Sequence, residues 1–349
     1  MPADKLQPSS IVERLSESEI CPDPLLRGQE EAFQRDVERL QAQFEDFVTT
    51  ACPACRQDDW QPAFEKWGFK YVTCRHCQTL YMNPRPSEAI MSDYYRNSEN
   101  YRYWAEHIFP ASEATRRDKI NRPWLDCIVD YTDRFKVARD VLLEVGPGFG
   151  TFSALATQSG QFKTVIAVEP TPEMAQACRE RHVHVIEKRI EDIQDEIDEL
   201  ADVAVAFEVI EHLFEPRQFV EQCARLLKPG GMLVLSCPNG QGFDISVLGP
   251  VSLAIDPEHV NLYNPKSLSL LLESCEFEVL EVSTPGRLDV EFVHTAIKEG
   301  KFDVSDRPFL RRVLYDEWDR LGWPFQQFLA ENGLSSHMWL AARKNKDAR

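Results

Sequence analysis

The sequence predicts an α/β protein built on a doubly wound sheet of seven strands, preceded by a small four-cysteine unit and by helices. Three observations lead to this prediction. Apolar strands alternate with amphipathic helices from residue 141 onward, a glycine-rich turn follows the first strand at 142–152, and two C-x2-C pairs occur at 52–55 and 74–77. Alternation of this kind is typical of a parallel sheet that helices cover on both faces.

The segments that precede the sheet differ in composition. Residues 1–28 contain many polar residues and prolines, which predict loose order, whereas 29–48 carries apolar residues at helical spacing. The predicted organisation is an N-terminal extension with a helix (1–50), a four-cysteine unit (51–82), a helical segment (83–135) and a sheet domain (136–345) with an insertion (286–334).

The sheet domain contains seven short segments rich in apolar and β-branched residues, with predicted helices between most of them. The predicted strands are 141–145, 165–169, 183–187, 202–208, 231–238, 277–285 and 337–344. The predicted helices are 151–159, 172–181, 215–228 and 265–275.

The turn after the first strand carries the most informative motif. It has the pattern E-x-G-x-G-x-G, formed by Glu144, Gly146, Gly148 and Gly150. A dinucleotide-binding turn has the spacing G-x-G-x-x-G, and here Thr151 occupies the position of the third glycine. Because a carboxylate repels a pyrophosphate, the turn favours a ligand that bears a cationic or amino group.

Five motifs in this order resemble class I S-adenosylmethionine-dependent methyltransferases, which have a Rossmann-like sheet. They are LLEVGPGFGTF, VIAVEP, RIEDI, AFEVIEHLFEP and RLLKPGGMLVLSCPN, and the resemblance covers most of 120–285. In the last motif the Pro-Gly-Gly turn is expected to end a helix and start a strand. Arg189 is a departure, because many members of the family carry an acid before the adenine-binding loop.

The resemblance implies S-adenosylmethionine as the cofactor. Glu169 would accept hydrogen bonds from both ribose hydroxyls, which requires two acceptor oxygens. Ile190 and Glu191 would flank the adenine. The complete set of implied cofactor residues is Glu144, Gly146, Pro147, Gly148, Gly150, Glu169, Pro170, Ile190, Glu191, Phe207 and Glu208.

The cysteine pairs indicate a structural zinc ribbon. Their spacing is C-x2-C-x18-C-x2-C, and four thiolates satisfy a tetrahedral ion in a closed site. The predicted ligands are Cys52, Cys55, Cys74 and Cys77. The alternative interpretation of CPAC as a redox dithiol lacks an adjoining strand-helix unit and leaves the second pair unexplained. His76, between two ligands, is expected to be exposed.

Transfer of a methyl group to an alcohol requires a group that removes the hydroxyl proton. His259, in the loop DPEHVNLYNP, is the candidate base, although it could instead orient the loop through a backbone hydrogen bond. Glu211 and His212 follow the fourth strand at the methionine end and are further candidates. Asn261 and Tyr263 are candidates for orienting the acceptor.

A zinc ribbon ahead of such a domain resembles bacterial methyltransferases that modify sugars and surface polysaccharides. The resemblance implies O-methylation of a small polar acceptor, such as a sugar or nucleotide-linked sugar, with the helical segment 83–135 covering the acceptor site. Arg287 could contact an acceptor phosphate or form a plain salt bridge. C- or N-methylation, a protein or RNA acceptor, and a cofactor-binding scaffold without turnover remain alternatives.

Charge and hydropathy restrict the partners. The net charge of −18 disfavours nucleic acid and anionic membranes. The sequence has no apolar run long enough to cross a bilayer and no signal peptide at its N-terminus. A cytoplasmic protein without membrane insertion is therefore expected, and its other cysteines are expected to be reduced.

Overall fold

The computed structural model describes residues 13–193, 196–197 and 199–346. Its helices are α1 (Glu17–Ile20), α2 (Asp23–Gln41), α3 (Glu88–Asn97), α4 (Glu99–Tyr103), α5 (Phe109–Arg116), α6 (Arg122–Phe135), α7 (Thr151–Ser159), α8 (Pro172–Glu180), α9 (Pro216–Leu226), α10 (Phe243–Leu248), α11 (Pro265–Glu273), α12 (Asp289–Lys298), α13 (Pro308–Arg311) and α14 (Trp318–Glu331). Its strands are β1 (Trp60–Lys66), β2 (Phe69–Cys74), β3 (Leu80–Met82), β4 (Val141–Val145), β5 (Thr164–Val168), β6 (His184–Ile186), β7 (Ala201–Phe207), β8 (Leu227–Pro238), β9 (Asn261–Leu262), β10 (Phe277–Ser283) and β11 (His337–Lys344).

The larger sheet confirms the predicted α/β fold with seven strands. Its order is β10-β11-β8-β7-β4-β5-β6, with β4 to β8 parallel and β11 antiparallel to both of its neighbours. The chain moves outward from β4 to β6 and then returns to β7 on the other side of β4. Because the winding direction reverses between β4 and β7, a crevice opens at their carboxyl ends, where ligands bind in such sheets.

Two predicted boundaries were wrong. The first long helix is Asp23–Gln41 and not 29–48, since Asp23 and Pro24 in its first turn favour an early helix start. The predicted loose segment 1–28 therefore contains α1 and the beginning of α2, while residues 1–12 lie outside the described residues. Strand β8 begins at Leu227, before the Pro-Gly-Gly turn, because Leu227 already pairs with Ala201 of β7.

A second sheet joins the cysteine segment to the main domain. Its order is β1-β2-β3-β9, all antiparallel. Strands β1 to β3 come from the cysteine segment, whereas β9 is Asn261–Leu262 and lies in the connection after β8. Strands β1 to β3 therefore share a sheet with β9, which directly follows the loop that carries His259.

The helices after the cysteine segment form one wall of the crevice. Helices α4, α5 and α6 follow one another with π-helical segments at Trp104–Ile108 and Arg117–Asn121 between them. The predicted insertion contains α12, α13 and α14, which pack around Val293 and Leu314. Within the described residues, every helix is too short or too polar to cross a bilayer.

Candidate active site

Two adjoining cavities lie at the carboxyl ends of the parallel strands. The larger has a volume of about 1760 Å³ and the smaller about 510 Å³. Both are lined by Gly146, Gly148, Phe149 and Glu208, so they meet at the glycine turn. One elongated ligand can therefore pass the turn and occupy both.

The glycine turn favours residues without side chains because of its backbone conformation and because of the atoms packed around it. All three glycines have positive φ, at 71° for Gly146, 53° for Gly148 and 74° for Gly150. A Cβ on Gly146 would lie 2.7 Å from Val209, and one on Gly150 would lie 2.8 Å from the sulfur of Cys178. The Cβ position of Gly148 is open, which leaves space for a ligand against the backbone.

Two buried acids flank the turn. Glu144, in β4, accepts a hydrogen bond from the Ser153 hydroxyl and lines the smaller cavity. Burial raises the pKa of Glu144 to about 7. Glu169 follows β5 and lines the larger cavity, where its Oε1 accepts the Thr171 amide at 2.8 Å. Burial also raises the pKa of Glu169.

The other predicted cofactor residues divide between the same cavities. Pro170, Ile190 and Glu191 line the larger one, and Pro147 and Phe207 line the smaller. Only Gly150 lies outside both linings, because it packs against Cys178. The atypical Arg189 forms ion pairs with Glu88 and Glu191, so it connects the loop after β6 to helix α3.

Glu208 has a partner that the sequence did not suggest. Its Oε1 lies 3.0 Å from Nε2 of His337 and accepts the Ser236 hydroxyl at 2.6 Å. Burial alone would raise the pKa of Glu208, but attraction to His337 and these hydrogen bonds outweigh burial and lower it. His337 starts β11, more than 100 residues along the chain, so no local pattern could identify the pair.

Glu211 and His212 lie at the junction of the sheet and the larger cavity. Glu211 is fully buried, and neither of its carboxylate oxygens has a hydrogen-bond partner among the described residues. Burial and the charge of Glu208 raise its pKa well above the ordinary value. His212 lies 3.8 Å from Glu211, and its Nδ1 is 3.1 Å from the carbonyl of Glu258. Burial lowers the pKa of His212 to about 4.

His259 lies beside this pair, with its ring centre 4.8 Å from that of His212. Its Nδ1 is 3.0 Å from Asp256 Oδ2 and 2.9 Å from the carbonyl of Ala254, so Nε2 is the nitrogen that can act in the cavity. Burial lowers the pKa of His259, but the negative charge of Asp256 overrides it and raises the pKa to about 10. Sequence reasoning named His259 and missed Asp256 as its partner.

Three donor groups, those of Glu211, His212 and His259, lie within 4.8 Å of one another. The Glu211–His212 separation of 3.8 Å exceeds a hydrogen bond, so a proton would pass between these two groups through a bridging water molecule. The two imidazoles differ in charge, because His212 is neutral and His259 carries a proton near neutral pH. The cluster thus contains one neutral imidazole, that of His212, and one, that of His259, that must lose its proton before it can accept another.

Tyrosines of the helical segment surround the cluster, and the sequence did not single them out. Tyr94 donates to Glu258 Oε1 at 2.5 Å, and Tyr101 donates to the same carboxylate. The hydroxyl of Tyr95 is buried and has no partner among the described residues, although its ring lies edge-on to His212 and lines the larger cavity. Tyr95 can therefore donate a hydrogen bond to a ligand.

The four predicted cysteine ligands come together. The sulfur atoms of Cys52 and Cys77 are 3.5 Å apart, as are those of Cys55 and Cys74, and all four lie within 4.8 Å of one another. Four sulfurs around a tetrahedral zinc ion lie about 3.8 Å apart, given a Zn–S distance of about 2.3 Å. The donor set therefore fits zinc, and His76 is exposed beside Asp59, as expected.

Two residues that were expected to orient the acceptor do not reach the cavities. The side chain of Asn261 is buried and bonds to Arg85 and the carbonyl of Leu213. Tyr263 packs inside the core that contains the sheet. Both belong to β9 and its continuation, where pairing with the cysteine unit turns them away. Arg287 lines the smaller cavity and not the larger one.

Comparison with known proteins identifies the domain. The profile of the methyltransferase domain family matches residues 101–282, just over half of the chain. A ubiquinone biosynthesis O-methyltransferase of Xanthomonas oryzae pv. oryzae is 31% identical over 170 residues, which cover 44% of this chain and 70% of that protein.

Two mycobacterial relatives align with shorter parts of this chain. A "Probable S-adenosylmethionine-dependent methyltransferase" of Mycobacterium tuberculosis is 35% identical over 40% of this chain and 49% of its own length. A protein of the same description from Mycolicibacterium smegmatis is 42% identical over 24% of this chain and 30% of its own length. This chain thus spans less than two thirds of either protein.

A solved structure adds a distant match. An S-adenosylmethionine-dependent methyltransferase from Clostridium acetobutylicum aligns with a TM-score of 0.45 at 11% identity, over 70% of this chain and 99% of that one. The profile match and the relatives show that this chain belongs to the methyltransferase domain family of S-adenosylmethionine-dependent enzymes.

Proposed function

We propose that this protein transfers the methyl group of S-adenosylmethionine to a hydroxyl of a small polar acceptor, a sugar or nucleotide-linked sugar of glycan biosynthesis. The observation that carries the proposal is the position of the His259–Asp256 pair in the wall of the same cavity as Glu169. A base and a cofactor site in one cavity are what alkylation of a hydroxyl requires.

The cofactor residues fit an extended ligand. Glu169, Ile190 and Glu191 would bind the adenosine in the larger cavity. Glu144, Phe207 and Glu208 would surround the methionine in the smaller one. Bound S-adenosylmethionine supplies an electrophilic methyl on a sulfonium, and the open Cβ position of Gly148 leaves space for close approach.

Proton removal falls to His259 in this proposal. Asp256 and the carbonyl of Ala254 fix the ring through Nδ1, so Nε2 would accept the hydroxyl proton from an acceptor in the larger cavity. The Asp256 carboxylate stabilises the imidazolium that forms, as a buried acid does in other acid–histidine pairs. Glu211 and His212 would complete the path by which the proton leaves.

The lining of the larger cavity supports a sugar-like acceptor. Trp67, Tyr95, Tyr101 and Trp104 provide aromatic faces, and the buried Tyr95 hydroxyl provides an unused hydrogen-bond donor. The helical segment 83–135 contributes three of these four residues and would cover the acceptor. The Xanthomonas relative is named as an O-methyltransferase, which agrees with transfer to oxygen.

The remaining expectations belong to the same proposal. Zinc would bind the four cysteines as a structural ion, because a four-thiolate site has no open position. A small molecule is the favoured acceptor over RNA, since a net charge of −18 repels a phosphate backbone. The protein would act in the cytoplasm. Its domains would have the boundaries that were predicted from the sequence.

The first prediction concerns cofactor affinity. Glu169→Ala should raise the dissociation constant of S-adenosylmethionine roughly ten- to a hundredfold, because hydrogen bonds to a charged group each contribute about 1.5–3 kcal/mol. Isothermal titration calorimetry measures this constant. Glu180→Ala, exposed at the end of α8, is the matched control and should bind as the native protein does. Equal affinity in both variants would remove Glu169 from the cofactor site.

The second prediction tests the reaction. Incubation of the protein with S-adenosylmethionine carrying a deuterated methyl group and a panel of sugars, nucleotide-sugars and small-molecule extract should give a labelled sugar, detected by mass spectrometry. His259→Ala should slow labelling about a hundredfold or more without changing cofactor affinity. His184→Ala, at an exposed position of the outer strand β6, is the control.

Other results of the labelling experiment would change the assignment of the base or of the acceptor. A labelled sugar formed at the native rate by His259→Ala would move the base elsewhere. Loss of labelling after dialysis against a chelator, with zinc retained by the cysteines, would mean that His259 and its neighbours bind a cation. No labelled small molecule would favour a macromolecular acceptor or a scaffold.

The third prediction concerns pH. His259 accepts a proton only when it is neutral, and its pKa is raised to about 10 by Asp256. The value of kcat/KM should therefore increase with pH through the neutral range and level off near pH 10. Asp256→Asn removes the attraction that raises the pKa, so the rising limb should move to lower pH. A profile that is flat between about pH 6 and 9 in the native enzyme would contradict this role of His259.

A further inference from the structure

The four-cysteine unit is joined to the loop that carries His259 by side chains that no cofactor motif includes. This loop, residues 252–260, is here called the His259 loop. It leads directly into β9, which pairs with β3 of the cysteine unit through Leu80–Leu262 and Tyr81–Asn261. The two parts of the chain are almost 200 residues apart, so these contacts form only in the folded protein.

Lys66 makes the most direct connection. It ends β1, and its ammonium donates to the carbonyls of Ser252 at 2.9 Å and Ile255 at 2.7 Å. These two carbonyls lie on either side of Ala254, whose own carbonyl bonds to Nδ1 of His259. Lys66 therefore fixes the backbone segment that orients the imidazole. Hydrogen bonds from a charged donor are roughly twice as strong as neutral ones.

Two neutral contacts join the cysteine unit to the His259 loop and to the segment beyond β9. The hydroxyl of Tyr71, in β2, donates to the carbonyl of Asp256 at 2.7 Å. Beyond β9, the side-chain amide of Asn264 donates to the carbonyl of Cys77 at 3.0 Å. Cys77 is one of the four clustered cysteines, so the position of this carbonyl depends on how that cluster is closed.

The hairpin that presents Lys66 depends on the cluster as well. β1 and β2 lie between the first and second cysteine pairs, and β2 ends at Cys74. The connection is a tight turn with positive φ at Trp67 and Gly68, where a Cβ on the glycine would meet Phe44 at 2.9 Å. An ion on the four sulfurs would close both ends of this hairpin and fix the direction of Lys66.

We propose that the metal-loaded four-cysteine unit positions the His259 loop, and that Lys66 is the positioning residue through which it does so. The four-cysteine unit would then hold one wall of the larger cavity in position, without supplying a group that takes part in the reaction. Its relevance to methyl transfer rests on the proposed function, whereas the structural coupling does not.

Hydrogen–deuterium exchange of the full-length, zinc-loaded protein tests the coupling without an acceptor. Lys66→Met should make the peptide that covers 252–260 exchange about tenfold faster, while peptides of β7 and β8 keep their native protection. Lys66→Arg retains the charge and donors and should restore protection. Lys70→Met, an exposed lysine on β2 of the same hairpin, is the matched control and should leave the loop unchanged.

A second measurement removes the metal and leaves Lys66 in place. Chelation of zinc under reducing conditions should accelerate exchange in 252–260 together with 60–82. Nitrogen NMR of labelled histidines should report the same change, since a released loop no longer holds Asp256 and the Ala254 carbonyl against Nδ1 of His259.

Two results would overturn the proposal: native protection of the loop in Lys66→Met, or loosening of 60–82 after chelation while 252–260 stays protected. If coupling is observed but no methylated product is found with any acceptor, the proposed function fails and this inference stands. If a methylated product forms and the loop is insensitive to Lys66, only this inference fails.

Discussion

The contact between Asp256 and Nδ1 of His259 is the interaction on which the chemistry proposed for the larger cavity depends. It engages Nδ1 and leaves Nε2 free for the proposed reaction, and it raises the pKa of the imidazole. Asp256 also accepts the amides of Glu258 and His259 through its other oxygen, at 2.8 and 2.9 Å. One carboxylate thus folds the loop and tunes its histidine.

Burial gives the acids of the site different functions. Glu144 and Glu169 are buried next to hydrogen-bond donors at the glycine turn, where a ligand can replace the lost hydration. Pairing with His337 lowers the pKa of Glu208, whereas Glu211 has no hydrogen-bond partner among the described residues and burial raises its pKa well above the ordinary value. Groups of one chemical type acquire different protonation states because their surroundings differ.

Local pattern was sufficient for the sheet, the glycine turn and the cysteine cluster. Each strand is a short apolar run, and the glycines and cysteines are spaced within one turn or one knuckle. Contacts between distant segments could not be read in this way. Lys66 resembles any exposed lysine of a hairpin, and His337 resembles any polar residue at the start of a strand.

The wrong predictions about the acceptor site also arise from contacts between distant segments. Asn261 and Tyr263 were assigned to the acceptor because they share a polar loop with His259. The structure pairs this stretch with β3, and the side chains consequently point into the protein. A residue's distance from His259 along the chain was therefore a poor guide to its position in the cavity.

The most direct test of the account is a crystal structure of the protein with S-adenosylhomocysteine, the product that remains after methyl transfer. The account predicts that the ribose hydroxyls bond to Glu169, that the carboxyl end of the ligand reaches the smaller cavity, and that the sulfur faces the side of the larger cavity where His259 and Tyr95 lie. A sulfur that faces away from His259, or a ribose bound elsewhere than Glu169, would contradict it.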